Sequence, residues 1–138
     1  MKRAAEHIFS ILSASQALAS ELGASSVGAG IAKIYDSLAP EGERLPYIVI
    51  DTVSVTGDLC VDGVNVLREV VQVSVFANAA TKARSIASLI FDIVAAAQLP
   101  ADVRNIRYLT HTQEVGDDAH EGVYYSEIID FEIIMNEL

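Results

Sequence analysis

His111 and His120, with Asp117, Asp118 and Glu121 nearby, are the side chains of this 138-residue sequence whose types could hold a metal ion. Their spacing argues against it. It matches neither a helical histidine pair nor a calcium loop with its fixed ligand positions, so the segment reads as a solvated acidic turn. Ser10, Ser13 and Ser15 offer hydroxyls, but no nucleophile-elbow glycine pattern surrounds them and no histidine is tied to them in sequence. Gly28-Ala29-Gly30 precedes a strand and not a helix N-terminus, so it lacks the geometry that cradles phosphate. A catalytic site assembled from dispersed groups would first be sought at Glu127 and Asp130, with Arg68 or Glu69. Cys60 is the only cysteine, which leaves no internal disulfide and no cysteine zinc cage, and fits a reducing cytosol. The reading is therefore no enzyme, no cofactor and no metal.

Charge narrows the partners. Nineteen acidic against nine basic residues give a net of -10, and the imbalance is concentrated at one end. Beyond Arg107 there is no Lys or Arg, whereas Glu114, Asp117, Asp118, Glu121, Glu127, Asp130, Glu132 and Glu137 are all negative. Such a field repels phosphate, which argues against tight nucleic-acid binding and suits a conduit that must let DNA pass. Lys2-Arg3 ahead of Ile8 to Leu12 loosely resembles a secretory leader. Glu6 and His7 abut its apolar run and Ser10, Ser13, Ser15 and Gln16 interrupt it, so no leader is expected. No stretch approaches the roughly 20 apolar residues of a membrane span.

The elements that must position these groups follow from periodicity. About half the residues are apolar, enough for the core of one domain over 1–138 with no linker. Ala5, Ile8, Phe9, Leu12, Leu18, Ala19 and Leu22 share a helical face, which predicts one helix of about 18 residues ending at Gly23. Residues 31–35 predict a short strand, and Ala39-Pro40-Glu41-Gly42-Glu43-Arg44 an exposed connector. From Tyr47 to Val55 the odd positions Tyr47, Val49, Val53 and Val55 face one way and Ile48 and Ile50 the other, so both faces of this strand should be covered. Asp62-Gly63 signals a turn into Val64 to Ala77, giving a long hairpin with a protruding tip. Ala80, Ala83, Ile86, Ala87, Ile90, Ile93, Val94 and Ala97 mark a helix over 79–98 that covers it. Strands over 103–115 and 123–135 complete the chain. The fold class expected is α+β, a mostly antiparallel sheet of four to five strands with two main helices on one face.

With the elements in order, the chain resembles a known family. Ile34-Tyr35, a proline-containing connector, Leu45-Pro46-Tyr47-Ile48-Val49, a long alternating strand ending at Phe76-Ala77, an alanine-rich helix and the closing Phe131-Glu132-Ile133-Ile134 are similar to the tail-completion, or tail-terminator, proteins of long-tailed bacteriophages. The resemblance implies a structural virion protein at the head-tail junction, assembled in the host cytoplasm. It would close as a six-membered ring on the finished tail tube, stop its growth and receive the head. Implied partners are further copies of itself, the tail tube protein and the head connector, with DNA only passing through and no membrane. The loop Thr56 to Gly63 and the segment Asp117 to Gly122 carry no motif that transfers residue by residue.

A closed ring needs two different patches that meet. The exposed apolar tip is the first candidate, with Leu59, Cys60, Val61 and Asp62 expected at an interface. Asp117, Asp118 and Glu121 are expected to line the lumen. A small-molecule-binding α+β regulatory domain is the alternative, and a small enzyme with a dispersed site the next.

Overall fold

The computed structural model describes residues 3–24, 33–59, 65–118 and 122–136. Three helices, α1 (Ala4–Ser13), α2 (Gln16–Glu21) and α3 (Ala80–Ala96), accompany five strands: β1 (Ile34–Asp36), β2 (Tyr47–Leu59), β3 (Asn65–Ala77), β4 (Val103–Asp118) and β5 (Gly122–Asn136). The strands form one sheet in the order β1-β2-β3-β5-β4. Only the β1–β2 pair is parallel. The α+β class and the mostly antiparallel sheet expected from the sequence are both present.

Alternation places the core. On β3 the odd residues Val71, Val73 and Val75 face the helices, and on β5 Ile129, Phe131, Ile133 and Met135 do the same, all buried. Ile8 and Leu12 of α1 and Ile86 and Ile90 of α3 close over them. The alanines Ala83 and Ala87 are buried too, which lets α3 approach the sheet closely.

Two departures from the periodicity have local causes. The N-terminal helix is not continuous, because Ser15 caps a new helix: its Oγ accepts a hydrogen bond from the Leu18 amide at 3.2 Å. A serine there supplies the backbone with a local partner and makes a fresh start more favourable than continuation. Then α2 ends as the sequence predicts, with Gly23 at φ +72°. Ala24 N–H donates to Ala19 O at 2.9 Å and Gly23 N–H to Ser20 O at 3.1 Å, the paired closure that calls for a left-handed residue. No atom crowds a Cβ at Gly23, so Gly23→Ala is expected to cost about 1 kcal/mol from backbone conformation alone. A urea midpoint measures it.

The second departure is in β2. Thr52 pairs with Val71 but Ser54 with Val70, so Val53 is an extra residue without a partner. This bulge shifts the alternation. Before it, Ile48 and Ile50 face the helices; after it, Val55 does, opposite Glu69. Val55 is therefore not on the face of Tyr47 and Val49, and neither Val53 nor Val55 is covered: they are 56% and 47% exposed. Coverage of both faces holds only for the first half of the strand, where the connector lies over Tyr47 and Val49.

Candidate interaction surfaces

The buried polar groups tie elements together. Glu69 is fully buried on the helix side of β3, where Oε1 accepts from Arg3 Nε at 2.7 Å and Oε2 from the Ala4 amide at 2.7 Å. Oε2 thus satisfies one of the first-turn amides of α1, which have no partner within the helix, while Oε1 holds the guanidinium of the residue that precedes it. Glu127, also buried, bridges β5 to β4 through His111 Nε2 at 2.7 Å and Gln113 Nε2 at 3.0 Å. His111 is further held against Phe91, with ring centroids 5.6 Å apart. Among the described residues no three His, Cys, Asp or Glu side chains converge on a metal position.

His7, buried on α1, reaches Asp102 Oδ2 at 3.1 Å and pins the helix to the turn before β4. This hydrogen bond is the main cause that holds the Asp102 carboxyl below its ordinary value of 3.8, against a smaller opposing effect of burial. A depressed carboxyl stabilises the fold above its unfolded pKa and loses that contribution as pH falls through the folded one. The stability gap between wild type and Asp102→Asn is expected to stay level at neutral pH and close below the ordinary aspartate range, as thermal melts over a pH series would show.

The sheet face away from the helices carries two patterns. At one end Tyr35, Tyr47, Phe76 and Tyr124 form a row across β1, β2, β3 and β5, with centroids 6.4, 5.2 and 5.6 Å apart in sequence. The Tyr35 hydroxyl donates to Glu43, and burial with that carboxylate beside it pushes its pKa up to about 12. The connector thereby leans over the row and walls a trough of about 580 Å³, with Asp51 and Glu114 on its rim. Tyr124 also lies across Gly116, its cross-strand partner, where a Cβ would stand 2.4 Å from the ring. Further along, Glu132 accepts from Arg107 at 2.9 Å and Arg68 at 3.4 Å, while Asp130 accepts from Thr110 at 2.8 Å and Gln72 at 3.2 Å. Acids on the middle strand of three thus bind donors on both neighbours.

The sheet also has two open margins. Among the described residues no strand pairs with the outer side of β4, nor with that of β2 beyond Ile50. Both margins carry exposed apolar side chains, Val53 and Val55 on β2 and Tyr108, Leu109 and Val115 on β4. Beside β4, under α3, runs a groove of about 250 Å³ lined by Phe91, Val94, Leu99, Ile106 and Tyr108. Edge bulges leave Arg104 and Leu109 unpaired on β4, as Val53 is on β2. Bulged margins discourage indiscriminate strand addition.

Of the residues singled out in the sequence, Cys60, Val61, Asp62, His120 and Glu121 lie outside the described residues. Leu59 is placed as the last paired position of β2, opposite Asn65, and Asp118 as the last of β4, opposite Gly122. Asp117 is exposed and pairs with Val123. His111 is brought to Glu127, not to Asp117. Glu127 and Asp130, weighed together as a dispersed site, point to opposite faces of the sheet, Glu127 toward the helices and Asp130 away. The margins at Val53, Val55, Ile106 and Tyr108 were not legible as surfaces, because the bulges that expose them leave no mark in the apolar pattern.

Known proteins share this architecture. No curated protein matches the sequence. A solved chain described as the virion of a native gene transfer agent particle superposes with a TM-score of 0.69 at 14% identity, over 96% of this chain and 94% of that one. At that identity the likeness shows the fold. The sequence profile of the family described as tail completion protein gp17 matches residues 6–136, from the first turn of α1 to the end of β5, and the chain belongs to that family.

Proposed function

We propose that the protein closes as a six-membered ring on the end of the completed tail tube, stops further addition of tube subunits and offers the surface to which the head attaches. Membership of the tail completion family makes it a structural component of the phage virion tail. The observation that supports the finer reading is the extent of that match, which reaches all of the described helices and strands. Its partners on this reading are other copies of itself, the tail tube protein and the head connector, and it turns over no substrate.

The whole chain acts as one domain in this role. The hairpin tip, Leu59, Cys60, Val61 and Asp62, meets the tube or a neighbouring subunit. Asp117, Asp118 and Glu121 face the lumen, where a carboxylate lining repels the phosphates of passing DNA without gripping it. Electron microscopy of the purified protein mixed with tail tubes of its own phage tests the reading. A ring of density at one tube end, with growth halted, is expected. Bare ends and unimpeded elongation at saturating protein would reject it.

A further inference from the structure

We infer that neighbouring copies join side by side, with the Val53–Val55 margin of β2 in one copy seated in the groove between α3 and β4 of the next. The inference rests on the ring reading and names the two patches that a ring must bring together. Four observations support it. The margins lie on opposite sides of one sheet, so each copy offers one of each kind. Their polarity agrees: β2, β3, β5 and β4 alternate in direction, and a rotation about an axis along the strands sets β4 of one copy antiparallel to β2 of the next with the helices on a common side. That is the more favourable sense of strand contact.

Their heights agree as well. Val55 stands opposite Glu69, Glu69 opposite Ile133 and Ile133 opposite Ile106, so one transverse row ends in Val55 on one side and Ile106 on the other. Finally the surfaces are chemically matched. Val53 and Val55 project without cover at one margin, and Phe91, Val94, Leu99, Ile106 and Tyr108 leave an apolar recess of about 250 Å³ at the other. The contact is one of side chains into a groove. Bulges at Val53, Arg104 and Leu109 interrupt both margins and keep a continuous backbone ladder from forming between arbitrary strands. A second copy is favoured over an unrelated chain because only an identical subunit supplies the matching margin at the matching height on every side of a ring.

Cysteine pairing tests the seam directly. In a Cys60→Ser background, Val55→Cys combined with Ile106→Cys is expected to give, on oxidation, a ladder of covalent oligomers that ends at the closed ring. Either cysteine alone should give no more than background dimer, since the two positions meet each other and not themselves. In parallel, Val53→Asp/Val55→Asp and Tyr108→Asp change only exposed positions, and thermal melts establish that both variants stay folded. Each is expected to lose tube capping at concentrations where wild type is saturated. An equimolar mixture of the two should stop at dimers, because it retains one intact seam per pair. If wild type caps tubes, both folded variants cap equally well and the cysteine pair does not link, the seam is wrong and the ring reading stands. If wild type forms no ring on tubes, the ring reading falls and the seam with it. Cross-links from position 55 to the tube protein in place of a second copy would also overturn the seam.

Discussion

Replacing Glu69 with alanine is expected to lower stability by about 3 kcal/mol, roughly 10 °C in melting temperature for a chain of this size. The carboxylate is fully buried among apolar side chains, yet both its oxygens are engaged, one by Arg3 and one by the Ala4 amide. Alanine leaves a cavity and strands the Ala4 N–H in a site without water. Arg3 is half exposed, so its guanidinium can return to solvent and adds little to the loss. Glu69→Gln keeps an acceptor for the amide and should cost less than half as much. Chemical denaturation of both variants checks the order: equal losses for Ala and Gln would mean that charge, and not the amide's hydrogen bond, dominates the site. Because Glu69 holds the first turn of α1, hydrogen exchange in the alanine variant should rise over residues 4–13 before it rises in the sheet.

Ile90→Ala should act as strongly through a different cause. Ile90 is fully buried where α3 meets the sheet, and removing three carbons from a close-packed site costs about 2–5 kcal/mol, against roughly 0.5–1.5 for Ile90→Val. Against a total stability of order 10 kcal/mol, the alanine variant is left marginal at growth temperature. Its effect on assembly should exceed its effect on fold, since α3 forms one wall of the groove beside β4. Urea titration followed by tube-end binding of the surviving folded fraction separates the two. Full capping by that fraction would show that the groove wall tolerates a shifted helix.

Much of the architecture was legible because period is a local property of the sequence. Strict alternation along Leu67 to Val75 and along Ile129 to Ile133 fixes which side faces the helices. The alanine-rich stripe from Ala80 to Val94 could pack only as a helix. What escaped was set by single residues or by distant partners. Ser15 divides the first helix through one side-chain hydrogen bond, a choice that competes with an otherwise continuous apolar face. Val53 looks like one more apolar strand residue, and only its missing partner across the ladder shows that the phase has changed. Glu69 and Glu127 interrupt apolar faces, and their partners lie far off in sequence for Glu69 and on the adjacent strand for Glu127. The apolar run Leu59-Cys60-Val61 stands out within a turn-rich stretch of the sequence, whereas the margins are visible only in the strand order.

The bulge in β2 leaves the gene one codon that the β2–β3 ladder could lose, whatever the seam requires of it. Val53 alone in that strand has nothing opposite it, so excising it would close the ladder with Thr52 and Ser54 still facing Val71 and Val70. Removing Thr52 or Ser54 instead would do the same, because Val53 would step into the vacant rung, whereas a deletion farther along the strand would turn the side chains between it and the bulge to the other side of the sheet. Length changes in β2 are therefore absorbed around the bulge and resisted farther along the strand, and a deletion scan would read out as one short permitted window centred on Val53.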